Sequence, residues 1–462
     1  MKNKPNSAFP GLRAGIARRC ATLLLASAGL FAGGMQSAHA LPSFARQTGQ
    51  DCAACHVGAY GPQLTPAGVR FKIGGYTDTD GKDGKVPLSG MLVGGFTHTK
   101  KKQDEAPTVH TDRNNNTTLD EASLFVAGRL AENLGAFIQW TYDGTEHHSA
   151  LDHVDVRAAR TFDVGGKDTV FGISVNNNPG VQDPFNTMPV WGFPYTSSAV
   201  GFGGGDAATL INGGLEHRVI GASAYAFWDN SLYAEIGTYR ALSQSIQADT
   251  GQHRSGDMGR LDGDTVYWRL AWMQDWKQQS FTAGVFGFDT AIQPDRISSG
   301  PQNHYHDVGV DASYQFLGTR KHVGTIYTSY IHENQRRNDL FTKGEATNRT
   351  GHLNEFRINA SYYFDQTWGV SAGRFITRGS RDTLLYSDGY ANGSPNTTGS
   401  VFQADWTPFG KEDSWGAPWA NLRLGVQYTL FDKFNGARHN YDGNGRDAKD
   451  NNTLFLFAWT SF

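Results

Sequence analysis

The chain is short of cysteine, of proline and of net charge, and past its start it has no long apolar run. Each shortage excludes something. Three cysteines in 462 residues, Cys20, Cys52 and Cys55, cannot build a disulfide framework. A net charge of −3 gives no nucleic-acid footprint. No stretch downstream of the first forty residues is long and apolar enough for a membrane helix. Only 16 prolines stand against 56 glycines, and aromatics (12%) are plentiful beside a modest 18% of charged residues, which suits strands and turns better than helices. The length allows more than one domain or one large barrel.

Residues 1–40 read as a secretory signal that is removed. Lys2, Lys4, Arg13, Arg18 and Arg19 make a basic start, Ala21–Gly34 is the apolar core, and Ala38-His39-Ala40 is a cleavage site. The mature chain is then expected to begin at Leu41 and to keep only Cys52 and Cys55.

Those two cysteines lie in Cys52-Ala53-Ala54-Cys55-His56. In this spacing two thiols add across the two vinyl groups of one haem while the adjacent imidazole reaches the iron, so a single covalent haem c is expected on Cys52, Cys55 and His56. A small-loop disulfide and a redox dithiol are the competing readings; a zinc site would need a second cysteine pair. After the motif, Thr65 can cap a helix, Pro66 suits its first position and Gly74-Gly75 would end it. Arg70 and Lys72 are either solvated or pair with haem propionates. Asp78–Gly84 reads as a polar linker, because Lys82 falls on a ligand position of a calcium loop and no Glu follows. The module 41–87 is too small to bury a core of its own without a staple.

Residues 88–462 repeat a segment of roughly ten residues with period two, as an outer-membrane barrel requires. Phe356, Ile358, Ala360, Tyr362 and Phe364 alternate with Glu355, Arg357, Asn359 and Ser361; Leu422, Leu424, Val426 and Tyr428 alternate with Asn421, Arg423 and Gln427. Short connections alternate with long ones, the long including 144–151 and the aromatic stretch 176–206, which either constricts a lumen or packs on the surface. The expectation is an all-β fold, a sixteen-stranded antiparallel barrel. The sixth segment, 208–228, is too long for one strand. On this facing Asp155, Arg157, Arg269, Glu355, Arg357 and Arg423 point inward. Phe455, Phe457 and Trp459 fall on the same inner face, where they need something to pack against.

A haem beside such a barrel implies electron transfer across a membrane about 30 Å thick in its core. The haem module is therefore expected to plug the lumen, within reach of both sides. For the distal iron ligand, Met91 is the candidate, since Met91, Val93, Gly95 and Thr97 share one face of the first strand; Met188, Met258, Met273, His98 and His110 are the others considered. Metal donors could dock at Glu146, His147, His148 and His153, or at His304, His306 and Asp307. No motif points to hydrolysis or phosphoryl transfer, and the Gly203–Gly205 run lacks the lysine of a phosphate loop.

The run from Leu41 through Cys52-Ala-Ala-Cys55-His56, then Leu64-Thr-Pro-Ala-Gly-Val-Arg-Phe-Lys-Ile-Gly-Gly-Tyr76, followed by a barrel, resembles the fused monohaem cytochrome–porins of bacterial outer membranes, among them iron oxidases. The resemblance implies an outer-membrane electron conduit. It would carry electrons from an extracellular donor such as Fe(II), through one haem c, to a periplasmic cytochrome or other soluble carrier, in contact with outer-membrane lipid and no nucleic acid. A haem-plugged diffusion porin with a gating or redox-sensing role is the alternative. A haem enzyme acting on peroxide is a third reading, without a motif.

Overall fold

A computed structural model describes residues 41–462 except positions 83, 253–256, 298, 388, 391 and 412–413; the expected signal, 1–40, lies outside the described residues. Sixteen strands carry the architecture. The first eight are β1 (Leu88–Thr99), β2 (Asn116–Ala131), β3 (Leu134–Asp143), β4 (His148–Asp163), β5 (Asp168–Asn176), β6 (Val219–Trp228), β7 (Leu232–Ala241) and β8 (Arg260–Asp275). The rest are β9 (Gln279–Gln293), β10 (Asn303–Phe316), β11 (His322–Arg337), β12 (Thr350–Phe364), β13 (Trp368–Gly379), β14 (Thr397–Trp406), β15 (Asn421–Lys433) and β16 (Thr453–Ser461). Each pairs antiparallel with its neighbours in sequence, and β1 pairs with β16, so the sheet closes. Closure leaves no strand edge unpaired, the condition for crossing lipid with strands.

The two faces separate as the period-two pattern predicts. Ile173, Ile236, Leu270, Ile326, Ile358, Val370, Phe402 and Leu456 are exposed on the outside. At the short-turn end Trp276, Trp368, Trp415 and Trp419 are exposed as well, and Trp368 stacks on Trp406 with centroids 5.9 Å apart. An apolar outer belt with an aromatic girdle is what an outer-membrane barrel presents to lipid. Inside, Asp155, Arg157, Arg269, Glu355 and Arg423 are buried, and Arg357 is half-buried.

Three boundaries correct the sequence reading. Residues 208–218 are not part of the sixth strand: the backbone N–H groups of Leu210 and Ile211 donate to Glu333 (2.6 Å) and Asp307 (2.8 Å), and that of Thr209 to Glu355, which takes them out of any ladder. The connection after β3 is short rather than long, because Asp143 accepts from the N–H groups of Thr145 (2.7 Å) and Glu146 (3.0 Å) and turns the chain within 144–147. The connection from β14 to β15 runs over 407–420, longer than expected at either side.

Two segments lie against the inward side chains. Residues 41–76 form α1 (Pro42–Thr48), α2 (Cys52–Cys55) and α3 (Pro66–Ile73). As expected, Thr65 caps α3, its hydroxyl accepting from the Gly68 N–H, with Pro66 in the first turn. These residues contact inward side chains around the wall. Tyr60 packs on Trp459 (centroids 4.7 Å), Tyr76 donates to Asp155 (2.6 Å), Tyr225 donates to the Ile73 carbonyl (2.7 Å) and Gln315 to that of Leu64 (2.7 Å). The second segment is the connection 177–218. It is drawn inward too: Arg157 donates to the Gln182 carbonyl, Arg269 pairs with Asp183 (3.2 Å), and Gln427 donates to the Thr196 carbonyl (2.6 Å). This stretch therefore packs inward rather than on the outer surface.

Candidate functional site

The motif Cys52–His56 is one helical turn, α2, followed by an extended His56 that bridges Leu64. A hairpin of chain holds it: the Thr65 N–H donates to the Cys55 carbonyl (2.9 Å) and the Thr65 hydroxyl to that of Ala54 (2.7 Å). Gly68 makes the contact possible, since a Cβ there would lie 2.4 Å from the Cys55 carbonyl oxygen, so α3 rests directly on the motif. Gly58, at φ +71°, turns the chain against the Tyr363 ring, which a Cβ would meet at 2.3 Å.

The motif is seated on the short-turn rim. The Ala53 N–H donates to the Gly410 carbonyl (3.1 Å), Arg320 to the Ala53 carbonyl (2.7 Å), and Gln366 accepts from the Gly58 N–H (3.2 Å). From the wall, Arg423 donates to the Tyr60 carbonyl (2.6 Å) and Asn421 to that of Ala59 (2.8 Å). Short turns mark the periplasmic rim of such barrels.

Cys52, Cys55 and His56 open together onto one cavity of about 790 Å³, counting its open side. Its walls are largely apolar: Leu41, Phe44, Leu64, Phe71, Phe137 and Trp191, with Lys72, Tyr76 and Asp155 among the polar groups. No disulfide joins the two thiols. Burial, reinforced by Asp51, pushes Cys52 up to about 12 and Cys55 to about 11. A redox dithiol needs the opposite shift, toward the thiolate. Burial lowers the His56 imidazole to about 4, only partly offset by a hydrogen bond to the Gly61 backbone. A neutral imidazole keeps a lone pair for a metal at neutral pH. Two thiols, a neutral imidazole and aromatic walls fit a covalent haem c.

The other predicted residues scatter. Met91 faces inward and is buried in one apolar cluster with Leu41, Phe71 and Phe137, with Phe44 and Cys52 packed on it, but it is not on the cavity wall. Met188 lies in the inward connection with its sulfur 3.9 Å from Arg269 Nη1. His98 is exposed and bonded to Asn115 (2.7 Å), and His110 stacks on His147 at 3.7 Å, both away from the cavity. Arg70 pairs with Asp275 (3.1 Å), and Lys72 donates to the Val181 and Asp183 carbonyls and to Asn186 (2.8–2.9 Å), so both are held by the barrel and its inward connection. The second histidine group is split by the strand's alternation: Asp307 is buried on the inner face while His304 and His306 are exposed, His306 against Asp289 (2.9 Å). Sequence reasoning missed Phe44, Phe137 and Trp191, whose aromatic character was visible but whose convergence depends on the closed barrel.

No protein-family model matches the sequence, and no curated protein does. Among solved structures, the chain is similar to OmpF of Salmonella typhi in complex with daunomycin, at 15% identity and TM-score 0.43, over 81% of this chain and 97% of that one. It is similar to the outer membrane channel DcaP of Acinetobacter baumannii at 11% identity and TM-score 0.44, over 81% and 96%. It is also similar to an anion-selective porin from Comamonas acidovorans at 12% identity and TM-score 0.40, over 81% and 98%. These values are too low to carry function, and the barrel assignment rests on the strand pairing itself.

Proposed function

We propose that residues 41–76 are a monohaem cytochrome module that plugs the lumen, and that the protein carries electrons from an extracellular donor, with Fe(II) as the donor to test first, to a periplasmic carrier. The observation that carries the reading is the single cavity onto which Cys52, Cys55 and His56 all open. Bound there, a haem c supplies one-electron redox chemistry. Cys52 and Cys55 would hold it covalently and His56 would be one ligand to its iron. Met91 is proposed as the other, on the strength of its inward face and its shared cluster with Cys52. Phe44, Phe71 and Trp191 give the cavity apolar walls, while Arg423, Asn421 and Arg320 hold the motif at the short-turn rim.

A closed sixteen-stranded barrel is also what a diffusion porin needs, so a haem-plugged porin with a gating role is the second reading. Purified protein in liposomes with an entrapped electron acceptor separates the two. External Fe(II) should reduce the internal acceptor without leakage of a small entrapped sugar. Sugar efflux with no reduction by Fe(II) or any impermeant donor would establish the porin reading and end the conduit one.

A further inference from the structure

Sequence order hides one cluster that the fold assembles. Asp152 and His153 are consecutive on β4, yet both side chains are buried toward the lumen. Consecutive residues normally point to opposite faces; here the register with β3 shifts between Ile138 and Trp140, and the irregularity turns both inward. Glu216 and His217 come from the last residues of the inward connection, just before β6. Asn177 ties the two pieces together. Its side chain accepts from the Val154 N–H (2.8 Å) and donates to the Asp152 carbonyl (2.6 Å), and its own carbonyl accepts from the His217 N–H (3.2 Å).

One ligand atom from each of Asp152, His153, Glu216 and His217 lies within 4.8 Å of all the others. Around a single ion with bonds of about 2.1 Å, donor atoms stand roughly 3–4 Å apart, so small side-chain rotations close the set. Both carboxylates are already oriented from behind: Thr141 donates to Asp152 Oδ2 (2.8 Å) and Asn178 to Glu216 Oε1 (3.0 Å). Such outer contacts fix ligand geometry in metal sites.

The competing account is a plain ion pair, with His217 as the cation between two carboxylates, since its Nε2 is 2.7 Å from Asp152 and 3.2 Å from Glu216. That account leaves His153 unexplained. Its side chain is 2% exposed, and neither ring nitrogen has a hydrogen-bond partner. Its Nε2 stops 3.7 Å from Asp152 Oδ1, and its ring sits edge-on to that of His217 with centroids 5.2 Å apart. An imidazole buried without a partner is costly, and a cation between the two rings and the two carboxylates relieves it.

We propose that Asp152, His153, Glu216 and His217 form a binding site for one divalent first-row transition-metal ion inside the barrel. Two imidazoles with two carboxylates suit Fe(II), Co(II) or Zn(II), and do not suit calcium or magnesium, which take oxygen donors throughout. The site lies outward of the cavity at the haem motif: Asp155, on that cavity's wall, is two residues from His153, about 7 Å along the strand. The proposal goes beyond the conduit reading and does not depend on it.

Co(II) is the probe, because its visible d–d bands report donor type and geometry as well as binding. Full-length protein in detergent should take up a single Co(II) per chain by equilibrium dialysis, with bands of a nitrogen–oxygen site and displacement by Fe(II) under anaerobic conditions. His153→Phe keeps the Asp152–His217 pair and fills the ring's space; it should bring uptake to background, as should His217→Ala, with the circular dichroism of the barrel unchanged. The double variant Cys52→Ala/Cys55→Ala should bind Co(II) like the parent protein, which separates failure here from failure of the haem reading. Lack of uptake by the parent protein, or full uptake with unchanged bands in His153→Phe, overturns the site.

Discussion

The wall of the barrel and the segments that pack on its inward side chains, its filling, are built by different rules. In the wall, each strand satisfies its neighbour's backbone, so the side chains need only alternate, lipid on one side and lumen on the other. The filling has little ladder of its own. Its carbonyls at Tyr60, Ala59, Leu64, Ile73 and Thr196 are taken by Arg423, Asn421, Gln315, Tyr225 and Gln427 from three strands of the wall, β15, β10 and β6. Its N–H groups at 210 and 211 go to Glu333 and Asp307. The wall is thus specified locally, while the filling is specified by the wall, and the wall should survive damage that releases the filling.

The sharpest way to break that comparison is at the motif. Cys52→Ala/Cys55→Ala should abolish covalent haem while the barrel still reaches the outer membrane, read by a haem-stained denaturing gel and by membrane fractionation. Full haem staining in the double variant would sink the assignment. Next comes Arg423→Leu. Arg423 is buried, 3.6 Å from Asp405, and donates to the Tyr60 carbonyl at 2.6 Å. Removing one partner of a buried pair costs about 3–5 kcal/mol. The loss should appear as faster protease cleavage within 41–87, with the heat-modifiable gel mobility of the barrel unchanged. Equal loss of barrel and module would mean that wall and filling form one cooperative unit.

The same contrast explains what the sequence disclosed. All sixteen strands were legible, because alternation is a property of ten neighbouring residues and Ile358 or Leu424 reports its face without knowing its partner. The capped α3 was legible for the same reason, through Thr65 and Pro66. The inward packing of Phe455, Phe457 and Trp459 was visible as an anomaly, and Tyr60 on Trp459 is its physical reason. Hidden were the features that join distant segments. Nothing around Glu216-His217 shows that they meet Asp152-His153, since an irregularity between β3 and β4 and a loop fold must both be in place. His153 drew notice with His147 and His148, but strand direction carries it away from them and into the wall.

Met91 tests how closely the wall serves the filling. It is buried against the cluster that includes Cys52, without lying on the cavity. If its thioether is the second axial donor, Met91→Ala should change the low-spin spectrum of the oxidised protein and lower the midpoint potential, because a thioether favours reduced iron. Covalent haem should remain at parent levels. An unchanged absorption and paramagnetic resonance spectrum removes Met91 from the site and leaves it as packing.

The smallest effect lies where the filling meets the outer loops. Asp206, half-buried in the inward connection, accepts from Asn435 Nδ2 at 2.6 Å. Burial raises its carboxyl to about 6, only partly offset by the hydrogen bonds from Asn435 and Tyr390. A carboxyl whose folded value lies above the unfolded one, about 3.9, binds more protons folded than unfolded between the two. Stability is therefore lost as the pH rises from about 4 to 6, and the cost stays in place above that. After discounting for partial exposure, the cost is about 1–2 kcal/mol. Asp206→Asn keeps an oxygen for Asn435 and removes the charge. It should make the inward connection more resistant to protease at pH 7 and leave it unchanged at pH 3.5, where the parent carboxyl is already neutral. Equal protection of parent and variant at pH 7 would mean that the charge is solvated there and that the outer loops, not the lumen, set the environment of Asp206.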